Sequence, residues 1–206
     1  VSGGAVDGEL TLTLDGTTIE SVVLGDGGDD VTIDDVLDAN AEVSTGDGND
    51  DVTINFMVDS GTVNTGAGAD DIVLNVSLAA DETIDGGAGS NDEITLNATV
   101  NLGAVTDVEI VNIQAAATVD FDNFTGVTDV NILTTGAVVV DKLVTSEVDT
   151  ITGADLTIQD MASGSVATFD AAGDLSLVID DTGLTDIVAD LASGTLKIDT
   201  GAGSAV

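Results

Sequence analysis

GDGGDDVTI (residues 25–33) returns as GDGNDDVTI (46–54), GAGADDIVL (66–74) and GAGSNDEITL (87–96). The starts lie 21, 20 and 21 residues apart (46−25, 66−46, 87−66). A fixed period near 20 marks a solenoid, in which each repeat is one supersecondary unit that cannot bury its apolar face alone. Every copy has the same plan: a glycine turn, an acidic pair, then an alternating apolar run.

The period extends outside the quoted stretches. Short strand-like runs precede the loops: VVL (22–24), EVST (42–45), TVNT (62–65) and ETID (82–85). They set Val23, Val43, Val63 and Ile84 in one expected column. After each loop the period-2 pattern predicts inward columns of Val31, Val52, Ile72 and Ile94, and of Ile33, Ile54, Leu74 and Leu96. Thr32, Thr53, Val73 and Thr95 should face out. Asp34, Asn55, Asn75 and Asn97 form a further outward column, in which Asn55, Asn75 and Asn97 are read as a stacked amide ladder. Each coil thus has two strands and two turns. One turn is the glycine-acid loop; the other is the looser DDVLDANA (34–41), MVDSG (57–61) or SLAAD (77–81). Stacked coils pair each strand in parallel with its copy about 4.8 Å away. Proline, which would delete ladder hydrogen bonds, is absent. The expected fold is all-β: a parallel β-helix or β-roll solenoid with coils of about 20 residues.

In the second half the loop degenerates. GAVTDVEIVNI (103–113) and TGVTDVNILTT (125–135) share a TDV step at a shift of 22, Thr106 to Thr128. ADLTIQD (154–160), GDLSLVIDD (173–181) and GTLKIDT (194–200) read as later strands, while TSEVDT (145–150) is less regular. DTGLTDIVADLAS (181–193) admits a helical turn, since Leu184, Ile187, Val188 and Leu191 fit a 3.6 period. The expected organisation is one continuous domain, with loop-bearing coils over 1–98 and coils with degenerate loops over 99–206. IDTGAGSAV (198–206) closely copies VNTGAGADD (63–71), so another loop begins there. Neither end reads as a cap, and further coils or stacking on other molecules are expected.

Composition narrows the function classes. Asp and Glu number 39 against Lys142 and Lys197, for a net charge of −37. Such a chain cannot neutralise phosphates, which excludes nucleic acid and anionic membrane surfaces as partners. No apolar run is long enough to insert in a bilayer. A hydrophobic share of 43% separates it from a disordered acidic tail. The two lysines read as surface residues. Phe56, Phe121, Phe124 and Phe169 are the only aromatics and are expected in the core. His and Cys are both absent, so there is no imidazole base, thiolate nucleophile or usual transition-metal ligand. There is no Arg to neutralise a uronate and no Trp or Tyr platform for a sugar. No enzyme activity is expected.

What remains is oxygen chemistry. Calcium takes six to eight oxygen ligands in forgiving geometry. The loops offer backbone carbonyls at their glycine corners and one inward carboxylate each. Parity selects that carboxylate: Asp29 stands two residues before inward Val31 and shares its face, while Asp30 faces solvent. The same count makes Asp50, Asp70 and Asp92 the inner acids, and Asp51, Asp71 and Glu93 the outer ones. The candidate calcium-binding residues are Gly25, Asp26, Gly27 and Asp29; Gly46, Asp47, Gly48 and Asp50; Gly66, Gly68 and Asp70; and Gly87, Gly89 and Asp92. Four loops leave three gaps, hence about three calcium sites. The extra residue at Ser90–Asn91 is expected to distort the fourth loop.

The pattern G-x-G-x-D-x-U-x, with U apolar, resembles the nonapeptide repeat of RTX proteins, which bind calcium in a parallel β-roll. The likeness covers residues 20–98 and the partial loop at 199–206. The RTX roll carries a loop at both turns; a spacing near 20 puts the row on one edge. That layout, and the Thr/Ala/Val/Asp/Gly richness, look like the calcium-bound solenoids of bacterial surface-layer proteins and large surface adhesins. The resemblance implies an extracellular, cell-surface protein exported by type I secretion, whose folding waits for calcium. The implied role is a structural building block that self-associates into a lattice or end-to-end filament. Cell-surface polysaccharide would be a partner of other parts of the parent protein. The alternatives it implies are a repeat domain serving a secreted enzyme or toxin, and an adhesin stalk.

Overall fold

The computed structural model describes residues 10–14, 19–34, 37–57, 60–100, 103–115, 118–134, 138–141, 150–153, 156–159, 166–171, 175–178, 186–191 and 196–199. It is an all-β parallel solenoid with coils of about 21 residues. Among the described residues the one helical element is a 3-10 turn, Phe121–Asn123. By internal contacts the chain divides into two units. The first is Val1–Glu109 with Asn123–Gly126; the second is Ile110–Asp122 with Val127–Val206.

The first unit alternates two kinds of strand. β1 (Thr11–Leu14), β3 (Asp30–Ile33), β5 (Asp51–Ile54), β7 (Asp71–Leu74) and β9 (Glu93–Leu96) stack in sequence order as one parallel sheet. β2 (Ile19–Val23), β4 (Leu37–Ser44), β6 (Thr62–Asn64), β8 (Thr83–Asp85) and β10 (Ala104–Thr106) stack as another. Register is residue on like residue: Val31↔Val52↔Ile72↔Ile94 and Ile33↔Ile54↔Leu74↔Leu96, all 0–1% exposed. The facing sheet contributes Val43↔Val63↔Ile84↔Val105, each fully buried. β-branched and γ-branched chains at period 2 fill such a pleated interior, and each contributes roughly 1.5–3 kcal/mol on burial.

Three expectations for this unit need correction. The first coil places Val22, not Val23, on Val43; Val22 is fully buried and Val23 is 41% exposed. From Ser21 onward, after an irregularity that follows Ile19, β2 lies on β4 at a step of 21, the step that also separates the first two loops. DDVLDANA is mostly strand rather than turn, because β4 begins at Leu37 and tolerates Asn40 at φ 66°. Phe56 is 52% exposed. The chain leaves the strand after Ile54, so period-2 parity lapses and Met57 is the next residue turned inward. Phe121 and Phe124 are buried; the side chain of Phe169 lies outside the described residues.

The outward column is a hydrogen-bonded ladder. Asn97 Nδ2 donates to Asn75 Oδ1 at 2.7 Å, Asn75 Nδ2 to Asn55 Oδ1 at 2.7 Å, and Asn55 Nδ2 to Asp34 Oδ1 at 2.5 Å. Asn75→Asp would set an acceptor-only group against the Asn55 carbonyl. It is expected to lower stability by about 1 kcal/mol, and Asn97→Asp, which sets a carboxylate against the Asn75 carbonyl in the same way, should cost about as much; urea denaturation of both checks this.

In the second unit, β11 (Ile110–Ile113), β13 (Asp129–Ile132), β15 (Thr150–Gly153), β17 (Val166–Ala171) and β19 (Asp186–Leu191) stack in that order. β12 (Thr118–Asp120), β14 (Val138–Asp141) and β16 (Leu156–Gln159) form a three-stranded sheet, and β18 (Leu175–Val178) pairs with β20 (Leu196–Asp199). The TDV shift of 22 is not the stacking register. Ile110 sits on Asp129, a step of 19 (129−110), which matches Val111-Asn112-Ile113 to Val130-Asn131-Ile132. Of the helical turn considered within 181–193, the described residues 186–191 are strand instead: β19 pairs in register along β17. Its Ile-Val-Ala run meets a neighbour of the same period, and ladder hydrogen bonds outweigh a weak helical pattern. Lys142, residues 145–149, the Lys197 side chain and the terminal TGAGSAV lie outside the described residues.

Candidate metal centre

Stacking dictates the loop before any metal is considered. Amides and carbonyls of successive turns bond to each other: Gly27 N to Asp47 O at 2.6 Å, Gly48 N to Ala67 O at 2.7 Å, Ala67 N to Gly46 O at 3.0 Å and Ala88 N to Gly66 O at 2.6 Å. The corners approach so closely that side chains are excluded. A Cβ at Gly66, where φ is +97°, would lie 1.7 Å from Gly46 O. One at Gly68 would lie 1.6 Å from Gly48 O and 2.9 Å from Asp70 Oδ1.

Two threonines seal the turn from inside. Thr45 and Thr65 are fully buried. Thr45 Oγ1 donates to Thr65 O at 2.8 Å, and Thr65 Oγ1 to Gly86 O at 2.9 Å. The T-G-x-G spelling at 45–48 and 65–68 carries that signal, which the glycine motif alone does not.

Inside the turns the acids make a column. Asp29, Asp50, Asp70 and Asp92 are 4%, 1%, 0% and 0% exposed, while Asp30, Asp51 and Asp71 are exposed. One oxygen of each inner acid is committed: Leu10 N donates to Asp29 Oδ1 at 3.0 Å, Asp29 N to Asp50 Oδ1 at 2.7 Å, Asp50 N to Asp70 Oδ1 at 2.8 Å and Asp70 N to Asp92 Oδ1 at 2.9 Å. The other oxygen, Oδ2, of Asp50, Asp70 and Asp92 is buried without a hydrogen-bond partner. The Thr45 and Thr65 hydroxyls also lie within hydrogen-bond reach of the Asp50 and Asp70 carboxyls and favour their charged forms, besides reaching the carbonyls named above.

The remaining candidates are arranged differently. Asp26 and Asp47 are exposed at the turn tips and stay outside the column. The insertion in the fourth loop is absorbed by Asn91 at φ 73°, a conformation Asn tolerates. Asp92 therefore keeps its place, and the distortion expected there does not reach the inner acid. Among the described residues no three acidic side chains converge on one point. A cation here would draw mainly on backbone carbonyls, with one carboxylate per gap.

Electrostatics follow from that geometry. Burial pushes the Asp70 carboxyl up to about 6; hydrogen bonds from the Asp50 amide and the Thr65 hydroxyl oppose the rise, and the charges of Asp50 and Asp92 add to it. Burial also raises Asp50 and Asp92. Outer Asp51, although exposed, is partly desolvated by its neighbours, and this together with the in-register charges of Asp71 and Asp30 raises it. A carboxyl that titrates higher folded than unfolded binds more protons in the folded state between the two values. For Asp70 that window runs from 3.8 to about 6. Stability without metal therefore falls as pH rises through it and is level above. Metal-free protein is expected to melt at higher temperature at pH 4.5 than at pH 7. Asp70 accounts for roughly 1–3 kcal/mol of this after allowance for screening. Asp70→Asn should flatten that part of the profile.

Comparison of the chain with protein families, with curated proteins and with solved structures returned no match.

Proposed function

We propose that this chain is a calcium-stabilised structural β-solenoid of RTX type, a building block of an extracellular surface layer or filament. One observation carries the reading: the three buried Oδ2 atoms of Asp50, Asp70 and Asp92 that have no partner. A buried carboxylate oxygen without a hydrogen bond or counter-ion is costly. Three of them at one offset in successive loops need a cation. Hard oxygen donors, no nitrogen or sulfur ligand and irregular carbonyl-rich turns suit calcium better than magnesium, which demands near-octahedral geometry. Asp50, Asp70 and Asp92 would supply the charge, and carbonyls of the turns at Gly25–Gly27, Gly46–Gly48, Gly66–Gly68 and Gly87–Gly89 the other ligands. Bound calcium would neutralise the column and tie consecutive coils together.

The structural role rests on what the side chains offer. Without imidazole, thiol or guanidinium the chain has little equipment for catalysis. Repetition gives it similar coils, and the strand edge at the end of a solenoid invites a further copy unless it is capped. Three calcium ions change −37 only to −31 (−37+6), so copies still repel until divalent cations or salt screen them. Extracellular calcium, commonly millimolar, makes folding and assembly switchable outside a cell.

The test is a calcium titration of chelator-treated protein, with magnesium as control, read by circular dichroism and light scattering. A gain of strand signal or thermal stability with calcium but not with magnesium, followed by growth in particle size, is the expected result. Full strand signal in chelator, unchanged by calcium, would sink the metal reading. A monodisperse monomer at high protein and millimolar calcium would sink the building-block role.

A further inference from the structure

Glu109 carries no glycine turn before it, yet it behaves as a member of the acid column. It stands two residues before buried Val111, the offset of Asp50 from Val52. Asp92 N donates to Glu109 Oε2 at 2.9 Å, as Asp70 N does to Asp92 Oδ1 at 2.9 Å. The backbone relation differs. Within the loops, the carbonyl of an inner acid takes the amide of the residue after the next inner acid: Asp29 O from Asp51, Asp50 O from Asp71, Asp70 O from Glu93. Asp92 O instead takes the amide of Glu109 itself, at 3.0 Å. One residue therefore holds both peptide groups flanking the Asp92 Cα. The longer side chain of Glu bridges a register in which the backbone stands one residue early.

We infer that Glu109 is a positioning residue for the column, fixing Asp92 and, through it, the acids before it in the order Asp70, Asp50, Asp29. The direction comes from the hydrogen bonds. Each carboxylate accepts the amide of the acid one coil earlier, so each acid is placed by its successor and places its predecessor. Among the described residues this run of bonds extends from Leu10 to Glu109. For its metal readout the inference rests on the calcium reading above; for its direction it rests on the bonds alone.

The test uses the full chain as wild type, Glu109→Ala and Glu109→Gln. Amide hydrogen exchange is followed at Asp92, Asp70, Asp50 and Asp29, and calcium binding by isothermal titration. In wild type the Asp92 amide should be protected like those of Asp70 and Asp50. Glu109→Ala should speed exchange at Asp92 about tenfold, less at Asp70 and not at Asp29, and weaken one calcium site about tenfold, the size of one buried N–H left without an acceptor. Glu109→Gln keeps an oxygen for that amide and should recover most of both effects. Free exchange of the Asp92 amide in wild type would overturn the inference without any variant. So would a Gln variant no better than the Ala variant, or an Ala variant with unchanged exchange. If the Ala variant does not fold, the wild-type exchange and the Gln variant still decide. Wild type that binds no calcium would defeat the metal reading only, because the exchange pattern is read independently.

Discussion

Gly66→Ala is expected to destabilise the loop-bearing unit by about 4 kcal/mol or more, at any calcium concentration. Two costs add. The residue sits at φ +97°, where an L side chain is strained. Its new Cβ would also meet Gly46 O at 1.7 Å and Gly46 C at 2.6 Å, and both are backbone atoms of the adjacent coil. Backbone cannot swing aside as a flexible side chain can. Relief requires parting two coils, which breaks Ala67 N to Gly46 O and the strands that follow. Ala67→Asp is the matched control, because the first two loops carry Asp26 and Asp47 at that place and both are exposed. It should change stability by no more than about 0.5 kcal/mol. Denaturant unfolding of the two variants, with and without calcium, checks the pair. A Gly66→Ala protein of near-native stability would mean that the coils do not stack this closely.

Calcium is expected to shift the whole unfolding equilibrium. At free calcium about 100-fold above Kd, one site contributes roughly 2.7 kcal/mol and three independent sites about 8. A whole domain has about 5–15 kcal/mol in total. Thermal melts in chelator and in millimolar calcium should therefore differ by tens of degrees, or the chelated protein should have no cooperative melt. Asp70→Asn separates metal from fold by sign. It keeps an oxygen able to accept the Asp50 amide, which Asp70 Oδ1 accepts at 2.8 Å, and removes a buried charge. In chelator at pH 7 the variant should be more stable than wild type; in calcium it should be less stable. The same sign in both conditions would mean that Asp70 does not meet the cation. The pH dependence of metal-free protein should disappear in saturating calcium, since the cation requires the ionised carboxylate.

The sequence determined the period, the parallel stacking and the face of almost every residue in the first unit. Like side chains recur at offsets of 20 to 22 residues, and only in-register stacking buries these Val, Ile and Leu columns while keeping Asn on Asn outside. Parity alone separated Asp50 from Asp51 and Asp70 from Asp71, because a strand has two faces and no third choice. Tertiary structure decided whatever depends on where a strand stops or slips. Val22 replaces Val23 because β2 stacks on β4 at a step of 21 rather than 20, and Phe56 is exposed because the chain turns after Ile54. A marginal 3.6-residue pattern near residue 187 yields to an adjacent strand. The place of Glu109 in the column also needed coordinates. Its role depends on a backbone displaced by one residue, and hydrogen bonds between coils, unlike side-chain faces, are not written in any local period.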